Sequence, residues 1–104
     1  MKINLEDVIL NLDDEPIKDN GLALTTGRVA VQALASGHPQ DGPQVKASKF
    51  ELALKLHGQK SADLTVEEIK LMKDAVGTGF FTPVVYGRFC ALVEQNDSVK
   101  KKGK

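Results

Sequence analysis

The stretch "ADLTVEEIKLMKDAVGTG", residues 62–79, decides how the chain folds. Thr65 is followed three residues later by Glu68, the spacing of a capping box. In that motif the Thr hydroxyl accepts from the Glu68 backbone N–H and the Glu carboxylate accepts from the Thr65 N–H. Leu64 before the cap and Ile69 after it have staple spacing. Ile69, Met72 and Val76 then recur on one face, while Glu67, Lys70, Lys73 and Asp74 fall on the other. Gly77 or Gly79 supplies the stop. The reading is an amphipathic helix over about 65–76.

Two other readings of the stretch fail on spacing. "DLTVEEI" echoes a helix beside a calcium loop, but such a loop needs oxygen ligands at alternate positions, a sixth-position Gly and a twelfth-position Glu. The acids Asp13, Asp14 and Glu15 are adjacent instead, and Pro16 follows them. "GTG" at 77–79 follows a helix. A phosphate-binding glycine loop follows a strand and opens a helix, and the chain has no "GK[ST]" after these glycines.

The same signals extend in both directions. "LTTGRVAVQALASG" (24–37) predicts a helix over about 25–36, capped by Thr25, with Leu24 and Val29 as staple. Ala30, Ala33 and Leu34 form its apolar stripe, and Gly37 is placed to close it with a left-handed residue. "HPQDGPQ" (38–44) reads as a loop, the expected seat of mobility. "VKASKFELALKLHG" (45–58) predicts a helix over about 46–57 that ends at Gly58. Its expected inward face is Phe50, Ala53 and Leu54, widened by Leu52 and Leu56. The last helix is expected over about 83–95. Thr82 is its cap and Pro83 sits in the first turn, where the missing N–H costs nothing. Val85, Phe89, Leu92 and Val93 point inward. Gly87, about 1 kcal/mol worse than Ala inside a helix, is expected to mark a close helix contact.

Upstream, "DVILNLDDEPIKDNG" (7–21) changes period. Val8, Leu10 and Leu12 alternate as in a half-buried strand. "DDEP" is turn chemistry, and Ile17 begins a return, which gives a hairpin over about 8–19. A helix from Asn4 through Leu10 is the competing reading. The fold class is therefore mainly α: a four-helix domain with a short N-terminal β-hairpin. One domain spans 1–96, and a disordered basic tail spans 97–104.

Composition narrows the function classes. The chain has 104 residues with 14 basic and 14 acidic side chains. The charge is unevenly placed. Residues 1–20 hold six acids against Lys2 and Lys18, and "KKKGK" (100–104) holds four lysines. No apolar run approaches the roughly 18 residues a membrane span needs, and Glu6 and Asp7 interrupt any secretory-signal reading of the start. A lone Cys90 excludes an internal disulfide framework and fits a reducing, cytoplasmic setting. It reads as a packing thiol. His38 and His57 show no metal-ligand spacing, and the acids at 13–15 read as a solvated turn. An enzyme would need His57, Cys90 and a carboxylate joined in a closed pocket. No cofactor, catalytic residue or metal ligand is expected. The helix over 83–95 carries only Arg88 as a cation, and phosphate neutralisation dominates non-specific nucleic-acid affinity. A nucleic-acid-associated regulator using Arg88 and the lysine tail is thus the alternative reading. The leading one is protein contact.

"LNLDDEPIKD", "LTTGRVAVQAL", "KFELALKLHG", "LTVEEIKLMKDAVG" and "FTPVVYGRFCALVE" together resemble small uncharacterised proteins of tailed phages and prophages. There an "L-D-x-x-P-I" opening precedes an "L-T-x-G" helix, and a "P-x-x-x-G" helix closes the chain. The resemblance covers most of residues 8–94 and supplies no catalytic or binding residues. It implies a non-enzymatic accessory or virion-assembly role in the host cytoplasm, through a protein partner or as a homo-oligomer. The contact candidates are Leu10, Leu12 and Ile17 on the hairpin, and Tyr86, Arg88 and Phe89 on the last helix.

Overall fold

The computed structural model describes residues 1–79 and 81–102; in the last helix, side chains are described as far as Gln95. Among these residues the order is β1 (Lys2–Asn4), β2 (Lys18–Asp19), β3 (Leu22–Ala23), α1 (Thr26–Ser36), α2 (Pro43–Leu56), β4 (Ser61–Asp63), α3 (Val66–Thr78) and α4 (Pro83–Lys102). The architecture is mainly α, four helices with short antiparallel pairings at the N-terminal end. No helix of the described residues is long and apolar enough to cross a membrane.

Helix α3 begins as its sequence predicts. The Glu68 N–H donates to Thr65 Oγ1 at 3.1 Å, and the Thr65 N–H donates to Glu68 Oε1 at 2.9 Å. Leu64, Ile69, Met72 and Val76 are buried. Thr25 caps α1 by accepting from the Arg28 N–H at 3.2 Å, and Val29, Ala30, Ala33 and Leu34 fill the core. Gly37 closes α1 at φ 67°, but its ψ of −169° is extended rather than left-handed helical. Thr82 caps α4 through the Val85 N–H, and Val85, Phe89 and Val93 are buried. Helix α4 runs to Lys102, past the expected end at Gln95. The expected lysine-rich tail otherwise lies outside the described residues.

The N-terminal segment does more than a hairpin alone requires. β1 pairs antiparallel with β4, in the register Lys2↔Asp63, Ile3↔Ala62 and Asn4↔Ser61. The chain then runs alongside the entrance of α1: the Gly27 N–H donates to the Leu5 carbonyl at 2.9 Å and the Thr26 N–H to the Asp7 carbonyl at 2.9 Å. Ile3, Leu5 and Ile9 are consequently buried. A strand phase with Val8, Leu10 and Leu12 inward is therefore wrong by one residue. Ile9 points in, Val8 is 37% exposed and Leu12 is 79% exposed. A one-residue slip inverts every side chain of a strand, and the ladder to Leu24 fixes this one through the Ile9 N–H. The alternative helix over Asn4–Leu10 does not form; Asn4 instead accepts from the Glu6 N–H in a local turn at 2.9 Å.

The hairpin itself is present. Leu10 bridges Pro16, and the Ile17 N–H donates to the Ile9 carbonyl. A second hairpin, β2–β3, turns at Asn20 and Gly21, both at positive φ (53° and 81°). Asn-Gly is the residue pair such a two-residue turn favours.

Helix α2 departs furthest from expectation. It starts earlier than residue 46, at Pro43, and buries Lys49, Leu52, Ala53 and Leu56. Phe50 and Leu54 are not core residues; they are 62% and 60% exposed. Seven apolar side chains between 45 and 56 exceed what one helix face can hold, so packing selects one set and the other faces out. Gly87 also differs: no atom of the described residues approaches the position its Cβ would take. The close approaches occur elsewhere, at Gly27 beside Leu5 and at Gly77 beneath the Tyr86 ring.

Candidate protein-contact surface

The exposed apolar side of α2 forms one wall of a groove of about 670 Å³ against α1. Val31, Leu34 and Ala53 make its floor, and Phe50, Leu54 and His57 rise on the α2 side. The turn from Gly37 to Asp41 closes one end. That turn is fastened rather than loose. Asp41 Oδ2 accepts from Lys49 Nζ at 2.6 Å and from the His38 N–H at 2.9 Å. The Gln40 N–H donates to His38 Nδ1 at 3.2 Å. The Lys49 ammonium is the main reason the Asp41 carboxyl lies below its ordinary value; partial burial opposes it, and the His38 N–H adds to the lowering. Lys49 and Asp41 neutralise each other, so Lys46 and the two imidazoles set the polar character of the rim. Lys46 is exposed and makes no ion pair among the described residues.

A second depression, about 490 Å³, lies across α1 and is lined by Leu5, Arg28, Gln32, Leu56 and Gln59 among others, with His57 on the shared rim. Arg28 Nε is buried there without a hydrogen-bond partner. Cys90 lines neither depression. It lies on α4 against the core, and the neighbouring Cys90 side chain is the main reason the Tyr86 phenol is raised above its ordinary value. His57 and Cys90 are not brought together in either depression. No group of three His, Cys, Asp or Glu side chains among the described residues is placed to hold a metal ion.

The sequence-derived contact candidates divide. The loop at the hairpin tip, residues 11–15, is tightly built. Asn11 Oδ1 accepts from the Asp13 and Glu15 N–H groups at 2.8 and 3.0 Å, and Asp14 takes a positive φ of 61°. Arg88 Nη2 clamps the loop from α4, donating to the Asn11 carbonyl at 2.8 Å and to Asp14 Oδ1 at 2.9 Å. Leu12 thus projects from a fixed support, and Arg88 serves the protein's own loop. Leu10 and Ile17 are half-buried, with Ile17 packed on the core. Tyr86 is exposed over Gly77. Phe89 cannot be a contact residue, because it is 0% exposed; its helix face with Val85 and Val93 turns inward.

Sequence reasoning missed Phe50 and Leu54 as surface residues. Lys49 gave the opposite signal, since a lysine marks a solvent face, and in the structure it is buried and paired with Asp41. No protein-family model, curated protein or solved structure matches the chain.

Proposed function

We propose that this chain is a non-enzymatic module that works by binding protein, with the α1–α2 groove as its contact surface. The observation that carries this reading is the pair Phe50 and Leu54, more than half exposed beside an apolar floor. Large apolar side chains grouped at a groove, rather than scattered singly, mark interaction sites. The groove's size suits a few inserted side chains, and the Asp41–Lys49 pair holds one end in shape before any partner arrives. The resemblance to phage and prophage proteins sets this activity in virion assembly or host takeover, in the host cytoplasm. The nucleic-acid alternative keeps only the lysine tail, whose side chains lie outside the described residues, since Arg88 is engaged with Asn11 and Asp14.

The test is a selection of displayed random peptides on the immobilised protein, with counter-selection on Phe50→Asp. Peptides should be enriched that bind the wild type and lose at least tenfold in affinity to the variant, about 1.4 kcal/mol. Failure to enrich any peptide sensitive to Phe50→Asp would reject the groove as a contact surface.

A further inference from the structure

We infer that the groove takes the hairpin tip of a second copy of this chain, so that the protein associates head to tail. The inference rests on the groove being a contact surface and names its occupant. Leu12 is the most exposed large apolar side chain in the described structure, at 79%. It is presented by a loop that Asn11, Asp14 and Arg88 hold in one conformation, so little ordering cost attends its insertion. Asp13 and Glu15 flank it, exposed and without ion pairs among the described residues. The tip is therefore an apolar knob with acidic shoulders.

The groove is its complement. Its floor is apolar, its rim carries Lys46 and two imidazoles, and its own carboxylate, Asp41, is already neutralised by Lys49. A Leu12 side chain between Phe50 and Leu54 would bring Asp13 or Glu15 toward Lys46. Opposite charges placed this way speed encounter and fix register. Pairing the groove with a second groove would set Lys46 and His57 rims against one another and leave Leu12 in water. The tip lies against α4 and shares no residue with the groove lining, so one molecule can offer both surfaces at once. Taken without reciprocal exchange of tips about a two-fold axis, such a contact is heterologous and does not close on a dimer; it propagates into a ring or an open filament. A five-residue tip covers less than the roughly 1,000 Å² of a stable interface, so each contact is weak and reversible.

The experiment is sedimentation equilibrium from about 10 µM to about 1 mM, the range in which weak contacts of this size titrate. The wild type should gain mass steadily beyond a dimer, and added salt should weaken the gain at least severalfold by screening the rim charges. Leu12→Asp and Phe50→Asp, both at exposed positions, should each remain monomeric throughout with unchanged circular dichroism. Mixed one to one, they should form a dimer that grows no further, because one intact tip meets one intact groove. A monomeric wild type at every concentration overturns the inference, as does an equimolar mixture that stays monomeric. Self-association that survives Leu12→Asp but not Phe50→Asp also overturns it, while leaving the groove as the contact surface. Loss of the groove reading itself is registered separately, by the peptide selection.

Discussion

Gly27 and Gly87 both lie inside helices, and the same substitution at each has opposite consequences. A methyl group on Gly27 would meet the Leu5 Cβ and the Leu5 carbonyl oxygen, each at 3.0 Å. That carbonyl is held by the Gly27 N–H, so the segment cannot retreat without breaking its bond. Gly27→Ala should destabilise the protein by about 1–3 kcal/mol, the range of overpacking. A methyl group on Gly87 meets no atom of the described residues. Gly87→Ala should stabilise by about 0.5–1 kcal/mol through helix propensity. Urea unfolding of the two variants reads both signs. Sequence alone predicts a cost for glycine in either helix; it does not reveal that Leu5 crosses one of them.

Asp41 and Lys49 give a second prediction at this scale. Removing one partner of a buried pair leaves a buried charge, whereas an apolar replacement of similar length is tolerated better. Asp41→Ala should lower the melting temperature more than Lys49→Met, since it also strips the His38 N–H of its acceptor. The Asp41 carboxyl lies below its ordinary 3.8 in the folded protein. Its stabilising contribution is thus complete above that value and is lost as the pH falls below it toward the folded-state value. Glu68, held below its ordinary 4.5 chiefly by the Thr65 N–H and further by Lys55, acts in the same direction. Thermal melts between neutral pH and pH 2 should fall most steeply in the acid range, and Asp41→Ala should flatten that fall.

At the scale of the element, caps carry more of the fold than periodicity does. Thr65 and Glu68 satisfy each other's backbone groups, and Thr65→Ala should cost about 1 kcal/mol in chemical denaturation. The cap residues at Thr25, Thr65 and Thr82 are legible because each motif is local: a side chain bonds a backbone group a few residues away. The faces of α2 are not legible in this way. Phe50, Leu52, Ala53, Leu54 and Leu56 offer two overlapping stripes, and the choice depends on where α1 and α3 lie. The burial of Lys49 decides it, and that in turn needs Asp41 from the preceding turn. The strand phase at Ile9 has the same character. Alternation is visible in the sequence, but which alternate faces inward is set by bonds to Leu24 and by β1 pairing with β4, contacts distant in the chain. The Asn20–Gly21 turn carries a residue pair that favours such turns, but the sequence reading ended its hairpin at residue 19 and did not place this second one.

At the scale of the whole molecule, the four helices and the N-terminal ribbon enclose Ile3, Leu5, Met72 and Phe89, while the Phe50–Leu54 wall and the Leu12 tip are among the large apolar side chains left outside, with Val66 and Leu22 exposed elsewhere. Phe89→Ala should cost about 3–5 kcal/mol, as large-to-small core changes do. Phe50→Ser should change stability by less than about 0.5 kcal/mol. Stability measured on both variants would separate what holds the fold from what it presents. A groove assembled from α1, α2 and the 37–41 turn could be recognised only after the core had claimed its residues and left Phe50 and Leu54 exposed.

The most direct test is a two-dimensional amide NMR spectrum of the wild type recorded at rising concentration. The account predicts that resonances of residues 11–15 and of the α1–α2 groove move together, and that Leu12→Asp silences both sets. Shifts confined to the α3–α4 side, or none at all, would contradict it.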